Sequence, residues 1–413
     1  MTDVEITPRK LSGTVSAPPS KSAAHRALIC AALADGKSVL KINDISEDVK
    51  ATIGCIEQLG AQTKFDGESI TVIPPKNYPS KAEFNCGESG STLRFMLPVA
   101  AALGIEAVFT GHGRLPERPV RELLEALQNH GIKASADFQI RISGKMTGGR
   151  FSIAGNISSQ YITGLLLAFP LCGDCELEII EPIESKPYID MTVGIMRTFG
   201  INIENKNNKF KIKKQNYSAK DFQIEGDWSN GAALLACGAT VKNLDKNSLQ
   251  GDKEILGIFE KFGAEIAQKD GGFSVKKSSL SAIESDASDT PDLVPIIAAL
   301  AATAERTTLI KNISRLRFKE SDRVAAIVNA VNSLGGNASA NENEIIIRGV
   351  KSLHGGTVSS CGDHRIVMAA AIMAQDCEDK VVIKNADAIN KSYPDFFSVY
   401  NSLGGEADVM QLW

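Results

Sequence analysis

Residues able to hold anions recur where apolar segments begin. In Pro19-Ser20-Lys21-Ser22-Ala23-Ala24-His25-Arg26, Ser22 and Arg26 are four apart, hence on one helix face, with Lys21 in the first turn. The opening turn of a helix carries unpaired N–H groups and the positive end of the dipole, so a lysine there is electrostatically unfavourable and points to a bound anion. Gly90-Ser91-Thr92-Leu93-Arg94 starts a second such segment, and its glycine lets a ligand approach the backbone. Arg114 and Arg118 lie in the turn-rich stretch that follows, with planar guanidinium groups suited to carboxylate or phosphate. Ser158-Ser159-Gln160 supplies two hydroxyls and an amide, of which capping accounts for one serine. Farther on, Pro291-Asp292 begins a buried helix and residues 317–323 pack five charges into seven positions. Asp363-His364-Arg365 again sets a basic pair at the wrong end of a dipole, and Lys391 follows in Asn390-Lys391-Ser392-Tyr393-Pro394-Asp395. Each has an ordinary reading taken alone, as a cap, a surface arginine or a solvated charged face. Together they describe anion sites, and Asp292 and Glu320 make sense among so many cations chiefly as proton carriers.

These groups need elements to hold them, and the chain repeats its elements six times. Gly60, Gly131, Gly200, Gly263, Gly335 and Gly404 each follow apolar residues at helical spacing, at intervals of 71, 69, 63, 72 and 69 residues. Such a glycine closes a helix in the left-handed conformation before a strand. A second marker keeps the same beat: small, polar or charged residues open apolar helices near Ser22, Ser91, Ser159, Ser229, Asp292 and Asp363. Residues 24–34, 161–171 and 293–304 are apolar nearly all round and read as helices buried on every side, whereas the Gly-capped helices are amphipathic. Six modules of about 70 residues are too long for ordinary solenoid units and read as βαβαββ repeats gathered in threes. The polar stretch 213–222 is the expected boundary, and a strand within 9–16 is expected to belong with the second half. The expected domains are 1–16 with 225–413, and 17–224, joined by two short strands, with the active site in the cleft between them and a hinge that closes it.

Bulk properties agree with a packed enzyme. The 413 residues exceed what one core usually organises, and 43% hydrophobic with 23% charged residues is a globular composition. Net charge of −4 gives no general attraction to nucleic acid or acidic membranes. The apolar runs 296–302 and 366–374 fall short of the roughly 20 residues a membrane span needs. The start of the chain mixes acids and bases before any apolar run, unlike a secretory signal, so the expected location is cytoplasmic. Eight cysteines are scattered, and the Cys172/Cys175 pair lacks the partners of a zinc site, so they read as structural thiols. No Walker loop, dinucleotide fingerprint or metal motif is present.

Taken in order, PSKSAAHR (19–26), GSTLR (90–94), PERP (116–119), SSQ (158–160), SKPYID (185–190), PD (291–292), KESDR (319–323), DHR (363–365) and KSYPDFF (391–397) resemble the 5-enolpyruvylshikimate-3-phosphate synthases over essentially the full length. The resemblance implies a two-domain inside-out α/β barrel, each domain three βαβαββ-type repeats around buried parallel helices. It implies transfer of the enolpyruvyl group of phosphoenolpyruvate to the 5-hydroxyl of shikimate 3-phosphate, by addition and elimination through a tetrahedral adduct, without metal or organic cofactor. In this family glyphosate competes at the phosphoenolpyruvate site.

By similarity, shikimate 3-phosphate would be held by Ser22 and Arg26 at its carboxylate, by Ser158, Ser159, Ser185 and Lys319 near its phosphate, with Tyr188 alongside and Gln160 across the ring. Phosphoenolpyruvate would meet Lys21, Gly90, Arg118, Gln160, Arg323, His364, Arg365 and Lys391. Asp292 is expected near the attacking hydroxyl and Glu320 near the methylene carbon, with Lys21 assisting proton traffic and the leaving group, and both Lys21 and Asp292 touching shikimate 3-phosphate. The chain departs from the family pattern at Glu88-Ser89, Arg315 and Gly362. A monomer is expected, because closure is internal to one chain. The rivals are the sister transferase acting on UDP-N-acetylglucosamine, whose cysteine loop is missing here, and a noncatalytic anion-binding protein on the same scaffold.

Overall fold

The structure is a computed structural model that describes residues 2–410 except 138, 270 and 278. The extreme ends of the expected domain ranges, 1 and 411–413, lie outside it. Backbone contacts divide the chain into two compact units, Met1–Pro18 with Glu225–Trp413, and Pro19–Ile224.

Each unit contains three modules, and each module repeats one plan. A buried helix crosses between two parallel strands, a more superficial helix follows, and two antiparallel strands finish a four-stranded mixed sheet. In the second module Lys81–Asn85 runs parallel to Glu106–Thr110 across the helix Gly90–Leu103; Ile140–Gly144 then pairs antiparallel, with Ile132–Ala136 at the edge. A helix that crosses between parallel strands lies on one face of its sheet, and the rest of its unit's core covers the remaining sides, which is why these helices are apolar all round.

All six glycines of the sequence repeat have φ between 84° and 94°, the left-handed region that ends the superficial helices. The buried helices are Lys21–Ala32, Gly90–Leu103 and Ser159–Cys172 in one unit, and Trp228–Ala236, Val294–Ala301 and His364–Ala374 in the other. Five carry a side-chain cap: Ser20, Ser89, Ser158, Asp227 and Asp363 accept from Ala23, Thr92, Gln160, Asn230 and Arg365 backbone N–H groups. The fifth helix differs from the expectation. It runs Val294–Ala301, not from Asp292, because Asp292 lies in the preceding turn and its carboxylate is drawn to arginines instead of to helix N–H groups.

Each trio of helices forms the heart of its own core. Leu28, Ile29, Phe95, Leu97, Leu165 and Phe169 are buried in one, and Leu234, Ile297, Leu300, Val367 and Met368 in the other. Gly164 fixes how closely two helices meet, since a Cβ there would lie 2.2 Å from the Arg94 carbonyl oxygen.

Two strands complete sheets far from their sequence neighbours. Thr14–Ser16 runs parallel to Thr240–Lys242, and Phe222–Gln223 runs parallel to Ser38–Lys41, so each unit's set of sheets is finished by a strand from the opposite end of the chain order. Asp3–Thr7, which the sequence reading does not mark as a strand, pairs antiparallel with both Val381–Lys384 and Glu406–Met410. The polar stretch before residue 222 is anchored by Tyr217, fully buried with its hydroxyl donating to the Leu167 carbonyl at 2.8 Å.

Candidate active site

In the unit of residues 19–224 the site residues gather at the first turns of the buried helices. Lys21 opens its helix, and its Nζ lies 2.9 Å from Asp48 Oδ2. Asp48 has no signal in the sequence, since it belongs to a separate helix, Glu47–Gln58. Arg26, one turn on from Ser22, is 2% exposed and ties three helices together. It donates to the Ser22 carbonyl at 2.7 Å, Thr192 Oγ1 at 2.8 Å, the Tyr188 carbonyl at 3.1 Å and Thr163 Oγ1 at 3.3 Å. Its guanidinium also sits 5.0 Å from the Phe95 ring centre. Burial lowers the Arg26 pKa to about 10, which leaves it charged at neutral pH.

Gly90 is crowded by cations. A Cβ on it would meet Arg118 Cζ and Nη1 and Arg94 Nη1, each at 2.7 Å, so glycine is what allows two guanidinium groups over this helix start. Arg94 donates to Gln160 Oε1 at 2.7 Å and to the Pro119 carbonyl at 2.7 Å, while Gln160 Nε2 donates to Ser91 Oγ at 3.0 Å. Gln160 is therefore oriented from both ends. The sequence reading assigned Arg94 no role, although its place four residues after Gly90 on the same helix carries the signal. Ser158 caps the third buried helix and Ser159 begins it. Ser185, buried and left-handed at φ 55°, leads into the next helix, where the Tyr188 N–H donates to its carbonyl.

In the other unit, Arg323 is the centre. Its side chain is fully buried, and it donates to Asp363 Oδ2 at 2.9 Å, Asp292 Oδ1 at 2.8 Å and Glu320 Oε2 at 2.6 Å. Asp292 also accepts from Arg365 at 3.3 Å and has the Lys319 ammonium at 3.7 Å. Burial alone would raise the Asp292 pKa, but Arg365, Lys319 and Arg323 hold it well below the usual carboxylate range. Burial pushes Lys319 down to about 8, against the pull of Asp292. Arg323, also opposed by burial, is kept protonated by Asp363, Glu320 and Asp292.

Asp363 is the structural pivot of this set: it caps its helix through the Arg365 N–H, receives Arg323, and accepts from Ser321 Oγ at 3.1 Å. His364 is buried, with Nδ1 3.8 Å from Asp363 Oδ1. Lys391 Nζ donates to the Gly362 carbonyl at 2.7 Å. The structure therefore brings Asp292, Lys319, Glu320, Arg323 and Arg365 into one ion network. Such an arrangement can stabilise anions and, with two carboxylates among the cations, move protons. Among the described residues no group of three or more His, Cys, Asp or Glu side chains is placed to hold a metal ion.

Comparison with known proteins identifies the family. The family model of EPSP synthase (3-phosphoshikimate 1-carboxyvinyltransferase) matches residues 6–400. The 3-phosphoshikimate 1-carboxyvinyltransferase of Clostridium kluyveri is 42% identical, covering 98% of both chains, and that of Clostridium novyi 40% identical over 99% of both. Among solved structures, an EPSP synthase from Acinetobacter baumannii superposes with a TM-score of 0.80 at 22% identity, covering all of both chains. The enolpyruvyl transferase NikO from Streptomyces tendae also gives 0.80, at 16% identity over 100% of this chain and 99% of that one. The two structures establish the inside-out α/β fold, and the full-length sequence matches establish the rest: this chain belongs to the EPSP synthase family, the 3-phosphoshikimate 1-carboxyvinyltransferases.

Proposed function

We propose that in this chain the family's enolpyruvyl transfer is carried out by Asp292, Glu320 and Lys21, on phosphoenolpyruvate and shikimate 3-phosphate held by the cations and hydroxyls around them. The observation that carries the reading is the buried network in which Arg323, Arg365 and Lys319 hold Asp292 ionised while Arg323 also donates to Glu320. Buried cations are costly to assemble, and guanidinium and ammonium groups are suited to a phosphate and a carboxylate.

Shikimate 3-phosphate is assigned to Ser22 and Arg26 at its carboxylate, to Ser158, Ser159, Ser185 and Lys319 at its phosphate, and to Gln160 and Tyr188 along its ring. Arg26 additionally fixes Ser22 and Tyr188 through its hydrogen bonds to their carbonyls. Phosphoenolpyruvate is assigned to Lys21, Gly90, Arg118, Gln160, Arg323, His364, Arg365 and Lys391. In the addition step the 5-hydroxyl oxygen bonds to the enol carbon, its proton passes to Asp292, and the methylene carbon takes a proton from the Glu320 side. In the elimination step the methyl group returns a proton, the carbon–oxygen bond to phosphate breaks, and Lys21 meets the leaving group. Asp292 is a weak base while three cations hold it; donor anions drawing on Arg323 and Arg365 raise its basicity when both substrates are bound.

Alanine at Asp292 or Glu320, assayed by phosphate release with both substrates saturating, tests these roles. Turnover is expected to fall by about 10² to 10⁴ in each; turnover near wild type removes that residue from the chemistry. The reading needs one chain only and no segment that enters a membrane, so we assign a monomer working in the cytoplasm. Light scattering on the purified protein decides its oligomeric state.

A further inference from the structure

Asp252 is a buried acid that the roles assigned above leave unused. Asp252 stands in the short 3-10 turn Gly251–Glu254, is 4% exposed, and its Oδ1 has no hydrogen-bond partner among the described residues. The charged groups facing it are Asp227 at the cap of the Trp228–Ala236 helix, Asp292 ahead of Val294–Ala301, and Arg365 in the first turn of His364–Ala374. Gln250 Oε1 accepts from the Trp228 N–H at 2.9 Å, which sets the Asp252 turn against the helix start that carries Ser229; the Ser229 hydroxyl acts on the Asp252 carboxyl and accepts from Arg365 Nη1. Arg365 Nη2 in turn reaches Asp292 Oδ2 at 3.3 Å. Hydrogen bonds thus run from Ser229 to Arg365, Asp292 and Arg323, with the Asp252 turn beside Ser229 at the start of that chain.

A hydroxyl can donate once and accept twice, so Ser229 keeps a donor for the Asp252 carboxyl while it accepts from Arg365. The orientation of the Arg365 fork is then set from behind by Asp252 and from the side by Asp292. Charge adds a second constraint. Around Arg323 and Arg365 already stand the carboxylates of Asp292, Glu320 and Asp363, so an ionised Asp252 makes the pocket poorer for any anion.

We propose that Asp252 is a positioning residue for phosphoenolpyruvate: through Ser229 it aims the Arg365 guanidinium, and in its protonated form it leaves that charge to the incoming anion, so that the donor binds together with a proton. Burial, with Asp292 adding to it against the pull of Arg365, raises the Asp252 pKa to about 7, where both forms are populated under working conditions. The inference rests on the assignment of Arg365 to the donor, and the test separates the two.

The KM for phosphoenolpyruvate is measured by phosphate release from pH 6 to 8.5, with saturating shikimate 3-phosphate, for wild type, Asp252→Asn, Ser229→Ala and Arg365→Ala. Titration of the donor itself is common to all four proteins and cancels in the comparison. Wild-type KM is expected to rise about fivefold or more as pH passes through 7, with Asp252→Asn flat over the same window. Ser229→Ala is expected to raise the donor KM at both ends of the range while the acceptor KM stays put. An Asp252→Asn profile that follows wild type overturns the proposal, as does a parallel rise of both substrates' KM with a lowered Tm, which marks a purely structural acid. If Arg365→Ala leaves the donor KM unchanged, the assignment of Arg365 is what fails; if it raises the donor KM while Asp252→Asn tracks wild type, the role of Asp252 alone fails.

Discussion

At the residue scale, the site is a set of charges whose protonation states are decided by burial and by one another. Lys319 is the clearest case. Its pKa is lowered by burial to about 8, so in the free protein it is charged below that pH and loses its charge above it. With Lys319 assigned to the acceptor phosphate, kcat/KM for shikimate 3-phosphate is expected to fall as pH rises through about 8, because this ratio reports the free enzyme. Lys319→Arg, which stays protonated, is expected to remove that fall; a wild-type ratio flat to pH 9 contradicts the assignment. Gly90 gives a steric counterpart. A methyl group there falls 2.7 Å from both Arg94 and Arg118, so Gly90→Ala must displace a guanidinium. The expected outcome is a donor KM raised roughly tenfold with little change in Tm, since one displaced charge-assisted contact is worth about 1.5–3 kcal/mol. An unchanged donor KM contradicts the placement. Lys21 and Arg365 were legible from the sequence because a cation in the first turn of an apolar helix has no intrinsic reason to be there, and Arg118 because its planar guanidinium stands in a turn-rich stretch. The partners Asp48, Asp252 and Asp363's bond to Arg323 were not, because they depend on tertiary approach between segments tens of residues apart.

At the element scale, precision comes from how closely the buried helices meet. Gly164 lies against the Arg94 carbonyl, and Arg94 on that helix turn holds Gln160 on the other. Gly164→Ala forces a Cβ into a 2.2 Å contact with backbone, so the helices Gly90–Leu103 and Ser159–Cys172 must separate. A destabilisation of about 1–3 kcal/mol is expected, read as a lower Tm, together with a loss of kcat/KM as the Arg94–Gln160 bond lengthens. Unchanged stability contradicts the packing. These helices were readable in advance because segments apolar on every side have no solvent-facing alternative, and the recurring glycines marked where each amphipathic helix stops. The helix expected to begin at Pro291-Asp292 starts at Val294 for an equally physical reason: two arginines outcompete helix N–H groups for the Asp292 carboxylate.

At the scale of the whole molecule, the repeat is sixfold but the chain order is not, because strands from distant parts of the sequence finish several sheets. Asp3–Thr7 lies between Val381–Lys384 and Glu406–Met410, bonded to both. Its Val4 and Ile6 are buried at 1% and 0% exposure, and nothing local in the sequence marks it, since its partners lie almost 400 residues away. Deleting residues 2–8 removes an interior strand together with two apolar side chains worth roughly 1.5–3 kcal/mol each. A Tm lowered by several degrees or more, or failure to fold, is the expected result by calorimetry, and an unchanged Tm contradicts the sheet order.

The central claim is that this chain uses phosphoenolpyruvate to modify shikimate 3-phosphate. The most direct test offers purified protein phosphoenolpyruvate with shikimate 3-phosphate in one reaction and with UDP-N-acetylglucosamine in another, following released phosphate. Release with shikimate 3-phosphate alone is the predicted result; release only with the nucleotide sugar, or with neither acceptor, contradicts it.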